Sequence, residues 1–232
     1  MAKAGDAVEN PVTGERAVVR LGNEDTGEDR MVVDLYVEPG GAVAGEHVHP
    51  VTEESFTVVR GQVGFRIDGR ESIAELNQSL HVPAGVAHDW WNAGDEQAHV
   101  ILEFAHRTAR FEEMIRNLFG LAQDGKTNSK GMPNLLQGAL FAREFSDVLY
   151  FTKPPLLVQR LLFGVLAAIA RLFGYRGRYP KYSDAPELPS GEVAGPPSTM
   201  RVVGGAFAVT APLLLASSLL LKRTHRPLNF GR

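Results

Sequence analysis

Four side chains in the first hundred residues have the types and spacing to hold one metal ion. His47 and His49 stand two apart, Glu54 follows after four intervening residues, and His88 comes later. On an extended segment residues two apart project from the same face, so His47 and His49 can grip a single ion together. Glu54, beyond a turn at Pro50, shares its face with Phe56 and Val58 and can bring an anionic oxygen to that ion. His88 would come from another strand, aimed by the turn at Pro83-Ala84-Gly85. Three imidazoles and a carboxylate suit one divalent ion of Mn, Fe, Co, Ni, Cu or Zn, and leave positions open for water, dioxygen or a chelating substrate. There is no cysteine, so disulfides, thiolate nucleophiles and sulfur-ligated zinc are excluded, and any metal must sit on nitrogen and oxygen.

The glycines and prolines around these residues are spaced as regularly as the ligands. Gly41 precedes His47 by five intervening residues and Gly61 follows Glu54 after six. A second cluster begins at Asn77 and continues through Pro83, Gly85, His88 and Asn92. These residues resemble the two signature motifs of the cupin superfamily, G-x5-H-x-H-x4-E-x6-G and G-x5-P-x-G-x2-H-x3-N. Every position matches except Asn77, where the family usually has glycine. Asparagine tolerates positive φ better than most residues and can replace glycine there.

The resemblance spans roughly Arg30 to His106. It implies a cupin-type, jelly-roll-like antiparallel β-barrel with His47, His49, Glu54 and His88 as the metal ligands. Members of that family include metal-dependent dioxygenases, oxalate-handling enzymes, isomerases, and sensors or storage proteins without catalysis. The ligands identify a site and not a reaction.

Parity extends the site to its neighbours. Trp90 has the same parity as His88 and should face the metal as a wall of the substrate pocket, and Phe56 has the same standing through Glu54. His81, His99 and His106 are isolated strand histidines, expected at the surface or satisfied within the core, and none is a ligand.

The elements that must position these groups follow from turn signals and periodicity. From about Glu15 to Arg107 short β-runs, such as Arg30 to Glu38, Ser55 to Arg60, Gln62 to Asp68 and Ala98 to His106, are punctuated by Pro39-Gly40-Gly41, Arg60-Gly61, Asp68-Gly69 and Asn92-Ala93-Gly94-Asp95. After Arg107 the period changes. Phe111, Met114, Ile115, Leu118 and Phe119 recur at helical spacing, as do Leu135, Leu136, Ala139, Leu140 and Phe145. The fold expected is therefore mainly β, a cupin β-barrel domain over residues 1–106 followed by a helical region over 107–178.

Within that region Leu156 to Tyr175 reads as an apolar helix carrying one thin polar stripe, because Arg160 and Arg171 return to nearly the same side. Residues 179–200, with Pro180, Pro186, Pro189, Pro196 and Pro197, read as an extended linker. Residues 201–232 hold a run from Val202 to Leu221 without charge, followed by the basic tail Lys222-Arg223-Thr224-His225-Arg226. Twenty uncharged residues are the length of a transmembrane helix.

With 24 basic against 27 acidic residues the formal charge is −3, which offers no global reason to bind nucleic acid. The first twenty residues hold no apolar run that could serve as a secretory signal. The expectation is thus a membrane-associated protein with its cupin domain in the cytoplasm, a lipid bilayer and a small-molecule substrate as partners, and a homodimer allowed for. The function expected is a metal-dependent oxygenase acting on a small oxygenated substrate, with Glu54 as ligand and catalytic proton acceptor. The alternative is a non-catalytic, membrane-tethered module that senses a metal or ligand.

Overall fold

The computed structural model describes residues 1–183 apart from Glu28 and Ala44. Eleven strands and five helices succeed one another among them. The strands are β1 (Ala7–Asn10), β2 (Glu15–Leu21), β3 (Arg30–Val37), β4 (His47–Val48), β5 (Glu53–Arg60), β6 (Val63–Ile67), β7 (Arg70–Ala74), β8 (Ser79–Val82), β9 (His88–Asn92), β10 (Ala98–Ala105) and β11 (Tyr150–Phe151). The helices are α1 (Asn23–Thr26), α2 (Thr108–Gln123), α3 (Leu135–Glu144), α4 (Leu156–Leu172) and α5 (Pro180–Ser183).

Every strand pairing is antiparallel. One sheet has the order β1-β2-β3-β10-β5-β8 and the other β11-β4-β9-β6-β7. The sequence suggested a closed barrel. Instead the described strands form two separate sheets that share one core, with no ladder joining them edge to edge. Period-two alternation builds that core. Met31, Val33, Leu35 and Val37 of β3, Phe56 and Val58 of β5, and Val100, Leu102 and Phe104 of β10 are buried. From the second sheet Val63, Phe65 and Trp90 enter the same cluster. The Phe56 and Phe65 rings meet across the sheets at 5.0 Å.

The chain leaves β10 through two left-handed residues, His106 (φ 68°) and Arg107 (φ 55°), and α2 then packs against β1. Phe111 and Met114 join the main core, as their helical spacing implies. α3 starts under an Asn134 cap whose side chain accepts from the Gln137 amide. α3 and α4 pack together, where the small side chains Ala167 and Ala170 meet Leu140. Pro180–Ser183 differs from the extended linker expected from residue 179. It forms the short helix α5, held where the Tyr179 amide donates to Asn117 Oδ1 at 2.8 Å and Tyr182 is buried against Gly120. The rest of the linker, from 184, and the expected transmembrane helix over 202–221 lie outside the described residues. Among those described, no helix is long and apolar enough to cross a membrane.

Candidate metal centre

The two-residue strand β4 carries His47, and His49 follows it directly. β4 lies between β9 and β11, pairing His47 with His88 on one side and with Phe151 on the other. Alternation on β5 turns Glu54 inward with Phe56, and alternation on β9 turns His88 inward with Trp90. The motif turns serve this placement. Asn77 adopts φ 66°, as asparagine in the glycine position requires, and Gly85 adopts φ 81° just before β9. At Gly41 the need is space, since a Cβ would lie 2.7 Å from Val37 Cγ1.

His47, His49, Glu54 and His88 are all buried, and their ligand atoms lie within 4.8 Å of one another. Each imidazole is fixed from behind. His47 Nδ1 is 2.9 Å from the Gly45 carbonyl, His49 Nδ1 is 2.8 Å from the Val148 carbonyl, and His88 Nδ1 is 3.0 Å from the Val86 carbonyl. A carbonyl only accepts, so each Nδ1 carries the hydrogen and a neutral ring presents a lone pair at Nε2. The three Nε2 atoms face the Glu54 carboxylate, whose oxygens lie 2.9 Å from His88 Nε2, where a protonated His88 donates to it, and 3.4 Å from His49 Nε2.

Four acceptors pointed at one another demand positive charge between them. Burial pushes the His47 imidazole down to about 3, with His49 and His88 adding to the effect. Burial alone would raise Glu54, but its interactions with His49 and His88 outweigh this and hold the carboxyl well below the usual range. Burial would likewise lower His88, and the hydrogen bond to Glu54 reverses the sign. Without a metal a proton on His88 meets part of that demand; a divalent transition ion would replace it, leaving neutral imidazoles beside an ionised carboxylate, with the backbone carbonyls fixing ring orientation. The donor set therefore fits a single divalent transition ion, as expected from the sequence.

A cavity of about 950 Å³ borders this cluster and is lined by both β and helical residues. Trp90 lines it. Phe56 does not border the cavity and packs instead against Phe65 and Trp90. Phe111 of α2 brings its ring to 5.4 Å from that of His49. No local sign in the sequence marked Phe111 or Val148 as supports, because both approach the ligands from distant parts of the chain. His81 and His106 are exposed and lie beside Ser55 and Asp29, and His99 bonds Asp34. None of the three joins the cluster.

The His-His-Glu-His group lies within a stretch of the chain that matches a known family. Residues 33–104 match the family described as Cupin domain, and this part of the chain is a cupin domain. A relative named Polyketide synthase CurC, from Streptomyces cyaneus, is 32% identical over 69 residues, covering 30% of this chain and 44% of that protein. The chain thus matches less than half the length of that curated relative. Similar solved structures include KdgF from Halomonas sp., 18% identical over 43% of this chain and 86% of that one, with a TM-score of 0.38. The Cnp3 cupin domain of Schizosaccharomyces pombe is 13% identical over 42% of this chain and 69% of that one, with a TM-score of 0.36.

Proposed function

We propose that this protein is a metal-dependent oxygenase acting on a small, oxygenated and largely apolar substrate, tethered to a membrane by its carboxyl-terminal region. The observation that carries the reading is the convergence of three imidazoles and one carboxylate beside a roomy cavity, whose wall includes His47, His49 and Glu54. A bound divalent ion would supply Lewis acidity at a chelating substrate oxygen and, where redox-active, a partner for dioxygen. The chain's residues do the rest. His47, His49, Glu54 and His88 hold the ion. Glu54, kept ionised, is also the group that accepts a substrate proton. Trp90 and Phe111 wall the site and exclude water. The relative named as a polyketide synthase supports a carbon-rich, oxygenated substrate class, and the uncharged run from Val202 to Leu221 supports the tether.

The test is oxygen uptake by metal-loaded full-length protein offered polyphenolic substrates, with His88→Ala as control. Uptake matched to substrate loss, and absent in the variant, supports the oxygenase. Saturable substrate binding without uptake overturns it in favour of a non-catalytic sensing module. For the tether, deletion after Pro197 is expected to release the protein from membranes, and a full-length chain that stays soluble without detergent overturns it.

A further inference from the structure

α4 turns its apolar side outward. Its buried residues are Gln159, Ala167 and Ala170, and Gln159 is tied down by its Nε2 donating to the Phe151 and Pro154 carbonyls, each at 2.6 Å. On the opposite side Leu157, Leu161, Val165, Ile169, Leu172 and Phe173 are exposed, Leu157 at 69% and Leu172 at 86%. At about 100° per residue these six fall within one arc of roughly 160° that contains no charge. A surface helix of a globular protein normally shows the reverse arrangement.

The border of this face is basic. Arg160 and Arg171 lie together along one edge of the arc, and Arg143 of α3 reaches the same edge, its Nη1 3.2 Å from where a Cβ on Gly164 would sit. From Val148 to Ser183 the chain carries Lys153, Arg160, Arg171, Arg176, Arg178 and Lys181 and not one acidic residue. Arg178 and Lys181 pair with Glu113 and Asp124. The other four make no ion pair among the described residues.

We infer that the outward face of α4 docks in the plane of an anionic lipid bilayer, its apolar arc entering the acyl boundary while the basic border meets the headgroups. The helix, about 26 Å long at 1.5 Å per residue, lies along the surface and does not span it. Charge argues against the competing occupants. A second copy docked antiparallel on this face, about a two-fold axis perpendicular to α4, would bring the two basic borders together. The uncharged run from Val202 to Leu221 is flanked by Arg201, Lys222 and Arg223, of the same sign as the border. Gln159 and Phe163 on the inner side of α4 line the metal-site cavity, and Arg160 reaches it from the border, so docking brings that cavity to within a helix thickness of the lipid. The inference deepens the membrane reading above but rests on a different segment.

Since the chain contains no cysteine, Val165→Cys in the full-length protein accepts a single solvatochromic label on the exposed face. Ile73→Cys, on β7 at the far edge of the second sheet from β11, is the control. With vesicles of phosphatidylcholine containing phosphatidylglycerol, the Val165 label is expected to shift to the blue and be quenched by lipid-borne quenchers while the Ile73 label is unchanged. Arg160→Gln with Arg171→Gln is expected to weaken binding at least tenfold, and high salt to do the same. Vesicle binding without a shift at Val165 overturns the inference and leaves the tether to residues 202–221. Absence of vesicle binding overturns both readings. A label already blue-shifted without vesicles also overturns it, in favour of a second copy if the shift fades on dilution and of the chain's own run if it does not.

Discussion

His49 Nδ1 donates to the carbonyl of Val148 at 2.8 Å, joining residues ninety-nine apart in sequence. The acceptor lies just before β11, which pairs with β4, so the helical region completes the cupin sheet beside the ligands. Phe111 adds a second support from α2, its ring 4.1 Å from Phe104 and 5.4 Å from His49. Phe111→Ala is expected to cost about 3 to 5 kcal/mol, as for a buried aromatic, and to weaken metal binding about tenfold by loosening His49. Chemical denaturation and metal titration on the one variant check both parts. An unchanged metal affinity in the folded variant would show that Phe111 serves packing alone.

Replacing any of His47, His49, Glu54 or His88 by alanine is expected to lower metal content severely, because each removes one bond from a set of four. His81→Ala and His106→Ala should retain full occupancy, since both side chains are exposed and neither belongs to the cluster. Elemental analysis of purified protein decides. Full occupancy in two of the four ligand variants would refute the assignment.

What could be read from the sequence was local. Residues two apart on one strand must share a face, so His47 with His49, Glu54 with Phe56 and His88 with Trp90 followed from parity, and Asn77 at φ 66° followed from its place in a glycine turn. Parity assigns a face but not a depth. It therefore put Phe56 and Trp90 together in the pocket, while the structure places Trp90 at the cavity and Phe56 among Phe65 and Trp90. Closure into a barrel depends on how strand edges meet, and turn signals are silent on that. The supports at Val148 and Phe111 had no local signature, since nothing in residues 108–151 says which strand they return to. For α4, an apolar run is compatible with burial, spanning or surface lodging, and only its packing through Ala167 and Ala170 shows which side is free.

Asp34 offers a test in pH. It is fully buried on β3 between Arg20 and His99, with Arg20 Nε and Nη2 donating at 2.6 Å each and His99 Nε2 lying 2.5 Å from Oδ1. Burial alone would raise its carboxyl, but the hydrogen bonds from His99 and Arg20 outweigh this and hold it below the ordinary range. A depressed folded value means the unfolded state binds the proton more readily. The stabilisation is therefore complete above about 3.9, the ordinary aspartate value, and is lost as pH falls through the lower folded value. Asp34→Asn is expected to cost about 3 kcal/mol at pH 7, as for one partner removed from a buried pair, with the gap to wild type narrowing below pH 4. Urea unfolding at pH 7 and pH 3 reads this. An equal gap at both would mean that the substitution acts through shape and hydrogen-bond geometry and not through the lost charge.

Trp90 must serve two masters, because it is 6% exposed within the main core and also lines the cavity beside the metal. Its strand partner is Phe65, and Phe56 packs against both, so truncation removes one wall of an aromatic cluster. Trp90→Ala is expected to keep the metal, since no ligand is lost, while destabilising the fold by about 3 to 5 kcal/mol. Because the ring also borders the cavity, the same change should widen it and weaken binding of a flat aromatic chelator such as a catechol about tenfold. Trp90→Phe separates the two effects: it keeps a ring against Phe56 and Phe65, so stability should recover most of the loss, while the shorter side chain leaves the cavity wall incomplete and catechol affinity reduced. Thermal melting and catechol titration on both variants decide. Recovery of affinity in step with stability would show that the ring acts through packing, and a catechol affinity unchanged in Trp90→Ala would remove it from the pocket altogether.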